Sequence, residues 1–147
     1  MTSLSSLDVR EVIFINERCR VDYESMPDDV RESADHAIDA IQNGRVLSPK
    51  MFTSLKGKLA GISEIRLPYD DDTYRVYLTL KCPWVVMILE AGMKKSTDGN
   101  NIPKWQQERL EHRQKNAQEY CQSHDAELRQ DFEKRNKRRH QIKGPKT

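Results

Sequence analysis

Three features of the sequence predict an α+β domain with a small, mostly antiparallel sheet, an N-terminal helical hairpin and a long C-terminal helix. The β-rich runs "ISEIRLP" (62–68), "TYRVYLTLK" (73–81) and "WVVMILEAGMKK" (84–95) are joined only by "YDDD" and "CP", so they should pair as an antiparallel meander. Two segments that read as short helices in succession, sharing one apolar stripe, precede them. From Ile102 to Gly144 nothing breaks a helix, and good helix formers dominate.

Taken in order, "EVIFIN" (11–16) is short, apolar and rich in β formers, and reads as a first strand. Asn16 is placed to cap a short helix over "ERCRVDYESM". Pro27 then opens a second helix, with Asp28 and Asp29 suited to its positive end. Val30, Ala34, Ala37, Ile38 and Ile41 give that helix one apolar stripe, and Asn43-Gly44 stops it. "RVLSPKMFTSLKGKLAG" reads as a linking loop carrying Lys50, Lys56 and Lys58. The C-terminal helix has a thin stripe: Trp105, Leu110, Ala117, Cys121, Leu128 and Phe132. Its first half should pack on the body and its second half, beyond about Tyr120, should project from it. The expected division is therefore a globular unit over residues 1–120 and a helical extension with a basic tail over 121–147.

Apolar residues make up 36% and charged residues 33%, which is little core material for one domain and fits an extended or solvated part. The near-neutral total hides an asymmetry. "KRNKRRHQIKGPKT" (134–147) holds seven Lys/Arg and no acid, leaving 18 Lys/Arg against 23 Asp/Glu over residues 1–133. A basic tail on an acidic body fits either a solvated arm or a nucleic-acid contact. Cys19, Cys82 and Cys121 are scattered and odd in number, which points to a reducing compartment. No apolar run reaches membrane-spanning length, and "MTSLSSLDVR" has no apolar signal core, so a soluble cytoplasmic protein is expected.

Side chains alternate across a strand, so the two faces of the sheet can be separated. Ile65, Leu67, Tyr74, Val76, Leu78 and Leu80 fall on one face, joined by Val85, Met87, Leu89, Ala91 and Met93, and the helical hairpin has the stripe to cover them. The opposite, water-facing side collects Glu64, Arg66, Arg75, Tyr77, Glu90 and Lys94, with Lys95 at the strand end. Gly92 removes a side chain among them and lets a ligand approach the backbone. Cations, a tyrosine and a carboxylate suit a phosphodiester. The same pattern also suits a solvated face of cross-strand ion pairs, Glu64–Arg75 among them.

The run of motifs resembles the HigB/RelE superfamily of type II toxin–antitoxin toxins, in its phage-derived HigB-like branch. The likeness lies in a lysine loop (Lys56, Lys58), Gly61 followed by Glu64-Ile65-Arg66, Tyr74-Arg75-Val76, the apolar strand Val85 to Leu89, the pair Lys94-Lys95, and Ile102-Pro103 opening a helix. It covers about residues 11–120. The resemblance implies a RelE-like fold and a toxin domain that inhibits translation as a ribosome-dependent mRNA endoribonuclease. It also implies a cognate antitoxin with a helix-turn-helix as partner, and attack of the 2′-hydroxyl on the adjacent phosphate without metal or other cofactor. On that reading Arg66 and Arg75 clamp the phosphate, Lys94 moves a proton, and Lys56, Lys58 and Lys95 bind the RNA backbone. Glu64 serves either as base or as the holder of the arginines. Many relatives carry a tyrosine or histidine after the last strand; here that segment is "STDGNN", which leaves Tyr77 as the substitute. The same gap fits a ParE-like gyrase inhibitor without hydrolytic chemistry, and an inactive phage-derived interaction module is the third reading.

Cys121 and His124 are spaced to share a metal, but they lack the further ligands a zinc site needs. Trp84 and Trp105 read as packing anchors rather than base platforms, and His112 and His140 as solvated. "HDAELRQDFEKRNKRR" could offer a surface to the antitoxin or to a second copy of the chain.

Overall fold

The computed structural model describes residues 9–70, 72–94 and 102–143, with the side chains of Lys94 and of 138–143 excepted. Its architecture is α+β. Strand β1 (Glu11–Phe14) is followed by helices α1 (Glu17–Glu24) and α2 (Asp28–Gln42), then by strand β2 (Phe52–Ser54) and a 3-10 turn (Gly57–Leu59). Strands β3 (Ile62–Tyr69), β4 (Asp72–Thr79) and β5 (Val85–Lys94) form the meander, and helices α3 (Lys104–Ser123) and α4 (Asp125–Lys143) complete the described chain. The five strands lie in the order β1-β5-β4-β3-β2, with β1 parallel to β5 and the other pairs antiparallel. Among the described residues no helix is long and apolar enough to cross a membrane.

The local signals of the first half act as expected. Asn16 Oδ1 accepts from Cys19 N–H at 2.8 Å and starts α1. Pro27 precedes α2, and Asp28 and Asp29 occupy its first turn. Gly44, at φ 74°, takes the left-handed conformation that ends it. The stripe of α2 and the inner face of α1 bury Tyr23, Val30, Ala34, Ile38 and Ile41 against Ile65, Leu67, Val76 and Leu78.

Five expectations are corrected. The loop "RVLSPKMFTSLKGKLAG" contains β2, an edge strand in which Phe52, Thr53 and Ser54 face Ile65, Glu64 and Ser63. Three residues flanked by polar and turn formers are too few to show an alternating pattern. The second correction concerns β5, which carries a bulge. Tyr77 faces Glu90 while Leu78 faces Ile88, so Leu89 stands unpaired opposite β4. One extra residue inverts the phase before it. Val85, Met87 and Leu89 therefore lie on the side assigned to the charged residues, while Val86, Ile88 and Ala91 meet the hairpin.

The third correction follows from the second. The side expected to face water is largely covered, because Ile62, Tyr77, Val85, Met87 and Leu89 form a second core with Leu110, Ala117 and Leu128. Helices thus flank the sheet on both faces. The expected single C-terminal helix also breaks at His124 (φ −115°, ψ 15°), whose N–H donates to Tyr120 O at 3.0 Å. Beyond that joint α4 does not project. Asp125 accepts from Trp84 Nε1 at 2.9 Å, the Trp84 and Phe132 rings lie 5.3 Å apart, and Leu128 is buried. Further along, Asn136 Oδ1 accepts from Val9 N–H at 2.8 Å and Arg135 Nε donates to Val9 O at 2.9 Å. Leu128 and Phe132, one turn apart, supply the apolar contact that holds this helix to the body. The end of the basic tail, residues 144–147, lies outside the described residues.

Candidate functional site

Strand alternation and the β4–β5 bulge together align two rows of side chains on the α3 face of the sheet. Glu64, Tyr77 and Glu90 stand opposite one another on β3, β4 and β5; Arg66, Arg75 and Gly92 form the adjacent row. Two carboxylates therefore flank a tyrosine, and two arginines sit one step along the strands.

Each carboxylate holds two guanidinium groups. Glu64 Oε2 accepts from Arg75 Nη1 at 2.7 Å, and its Oε1 accepts from Arg66 Nε at 3.1 Å. Glu90 receives Arg109 from α3 through two parallel bonds, Nε to Oε1 at 2.7 Å and Nη2 to Oε2 at 2.8 Å. Gln106 Nε2 adds a bond to Oε2 at 2.6 Å. Arg113 reaches the same carboxylate at 3.4 Å, and its Nη1 donates to Leu89 O at 2.7 Å. The carbonyl of the bulged residue thus finds a partner on α3, and the bulge and the helix fix one another.

Above this frame, between the second half of β5, the outer face of α1 and the start of α3, lies a cavity of about 710 Å³. Arg75, Arg109 and Arg113 line it, and Arg18 reaches it from α1 beside Asp22. A Cβ built on Gly92 would meet nothing within 4 Å, so the floor there is open as the sequence suggested. The N-terminus of α3, whose first-turn N–H groups and dipole favour negative charge, also borders the cavity through Pro103 and Gln106. Arg75 is the least satisfied of these groups. It is 8% exposed, and its Nε is buried with no hydrogen-bond partner among the described residues. Burial pushes the Tyr77 phenol well above its ordinary range, and the neighbouring Glu64 adds to the rise, so it stands protonated. Hydrogen bonding to Glu90 favours the charged form of Arg109.

Of the polar-face residues singled out in the sequence, Arg75, Tyr77, Glu90 and Gly92 line this cavity, with Glu64 buried behind Arg75. Arg66 lies on the far side of Glu64, half-exposed. Lys56 and Lys58 are exposed on the 3-10 turn at the other end of β3 and do not line the cavity. Lys94 closes β5 opposite Thr73, but its side chain and all of Lys95 lie outside the described residues. Arg18, Asp22, Gln106, Arg109 and Arg113 were not anticipated. A helical stripe, Trp105, Arg109 and Arg113 at four-residue spacing, was the legible trace of the α3 contribution. Trp105 departs from the packing role expected of it: it is 60% exposed on the cavity lip, with the Arg109 guanidinium 4.8 Å from its ring centre. Trp84 does pack, on Phe132. The His124 ring stacks on Tyr120 at 4.2 Å, while Cys121 packs against the α3-side core that contains Cys82.

Comparison with known proteins adds one finding. The family described as Phage derived protein Gp49-like (DUF891) matches residues 22–118, which run from the end of α1 through most of α3 and hold every described residue that lines the cavity except Arg18. No curated protein and no solved structure matches the chain. With two thirds of its length matched, the chain belongs to the Gp49-like family of phage-derived proteins, a family of the RelE/HigB-like toxin type.

Proposed function

We propose that this protein is the toxin of a type II toxin–antitoxin pair and acts as a ribosome-dependent mRNA endoribonuclease. The observation that carries the reading is Arg75, a buried guanidinium with an unused Nε donor, on a cavity into which three more arginines converge. A phosphodiester supplies both the negative charge and the acceptor oxygens that such a group lacks. In the proposed reaction the 2′-oxygen attacks phosphorus and the P–O5′ bond breaks, leaving a 2′,3′-cyclic phosphate and a 5′-hydroxyl. Arg75, with Arg66 beyond Glu64, stabilises the charge that accumulates on the phosphoryl oxygens. The proton leaves the 2′-hydroxyl for a carboxylate or for Lys94, and Tyr77, held protonated, is the donor for the leaving 5′-oxygen. Glu64 engages a guanidinium with each oxygen, which favours its role as the holder of Arg66 and Arg75 over that of base. Lys56, Lys58 and Lys95 bind the RNA backbone, the first two from outside the cavity. The partners on this reading are the ribosome, the message and an antitoxin with a helix-turn-helix. We assign the toxin activity to residues 1–120 and treat residues 121–147 as an extension.

The test is induction of the wild-type chain and of Arg75→Ala, with translation measured and mRNA ends mapped. Cleaved messages and growth arrest that vanish in the variant are expected. Growth arrest with intact messages would eliminate the nuclease reading.

The same two features, a doubly engaged Glu64 and a buried neutral Tyr77, favour a second reading in which the cavity binds nucleic acid or protein without cutting it, as a ParE-like gyrase inhibitor would. A DNA-damage response with normal protein synthesis selects that reading.

A further inference from the structure

The cavity has an apolar lip as well as a cationic floor. Trp105, on the first turn of α3, and Met93, near the end of β5, are two of the few large apolar side chains the described chain leaves in water, at 60% and 51% exposure. Both line the cavity that holds Arg75. A helix as polar as α3 could have turned Trp105 inward; it turns Leu110, Gln114 and Ala117 inward instead. The indole is not loose in solvent, because Arg109 lies across it at 4.8 Å and is itself locked by its two bonds to Glu90. An indole held by a guanidinium, lining one cavity with a polarisable thioether and with Arg75, has the makings of a slot for a flat aromatic group.

We propose that Trp105 and Met93 form a nucleobase slot, so that the cavity takes a single-stranded nucleotide unit with its base on the indole and its phosphate on Arg75. This deepens the proposed RNA-directed function and rests on it. The slot reads the π-face of a base, which every base has, so it selects unpaired strands over duplex without demanding one sequence.

The experiment uses the full chain and two RNA hexamers of equal charge, one with all bases and one abasic at the central positions, with affinities measured by calorimetry. Wild type is expected to bind the base-bearing strand about tenfold more tightly, the scale of one base–aromatic stack. Trp105→Ala should remove that preference and leave the abasic strand unchanged, while Trp105→Phe should keep most of it. Arg75→Ala should weaken both strands by the same factor. Equal affinity of the wild type for the two strands overturns the slot, and so does a Trp105→Ala loss that is the same for both, since that would be a structural effect passed through Arg109. If Arg75→Ala still weakens both strands in such a case, the phosphate site survives the loss of the slot. If neither strand binds the wild type, both ideas fall.

Discussion

Glu64→Gln separates two roles for the residue at the centre of the site. Glu64 is 2% exposed, and its partner Arg75 has a side chain only 10% exposed, with 2.7 Å between them. Removing one member of a buried ion pair strands the other, at a cost of about 3–5 kcal/mol. Glutamine preserves the shape and one acceptor oxygen, which returns part of that, so a loss of about 2–4 kcal/mol is expected. The contact to Arg66, whose side chain is 37% exposed, adds at most about 1 kcal/mol because solvent screens it. For a domain stable by roughly 5–15 kcal/mol this is a large fraction. With a urea dependence of about 1–3 kcal/mol per molar, the unfolding midpoint should fall by about 1–2 M. RNA affinity should fall with it, because Arg75 loses the group that aims it. A midpoint unchanged within about 0.3 M, together with lost cleavage and retained RNA binding, would refute the holding role and make Glu64 the base.

Gly61→Ala should lower stability by about 1–3 kcal/mol in thermal melts, since Gly61 sits at φ 97° and an added Cβ would run into the ends of Lys81 and Gln114. Leu128→Ala should cost about 2–4 kcal/mol in urea unfolding if α4 is docked, whereas a projecting helix would lose almost nothing. Burial first, and then the 2.6 Å bond to Asp35, raise the Tyr23 phenol above its ordinary value of 10.0, so its contribution is complete below pH 10 and drains away as pH climbs further, where only the unfolded chain ionises. Tyr23→Phe should therefore be less stable at neutral pH and show a shallower alkaline decline in stability measured from pH 8 to 11; an unchanged slope would contradict the assigned direction.

The parts legible in the sequence were those fixed by neighbours along the chain. Short connections dictated the β3–β4–β5 pairing, Asn16 and Pro27 marked helix starts, and strict alternation placed Glu64, Arg66, Arg75 and Tyr77 on one face. What stayed hidden depends on contacts between distant segments. The bulge at Leu89 is held by Arg113, 24 residues away, so no local pattern announces it. The covering of the second face by α3 follows from that bulge, because it places Met87 and Leu89 where an apolar helix face is required. Arg18 and Arg109 enter the site from helices on opposite sides of the sheet, a juxtaposition that only the assembled fold creates.

The unpaired Leu89 gives β5 a parity. With an odd residue inserted, the strand feeds Val86 and Ile88 to one layer and Glu90 to the other, and the count between them decides which is which. Deleting Leu89 would restore a regular ladder with Ile88 and Glu90 still on opposite layers, at the cost of one core side chain and of the carbonyl that Arg113 grips. Closing the bulge with every residue kept would instead put Ile88 and Glu90 on one layer, either setting three α3 donors adrift or stripping Ile88 from the hairpin core.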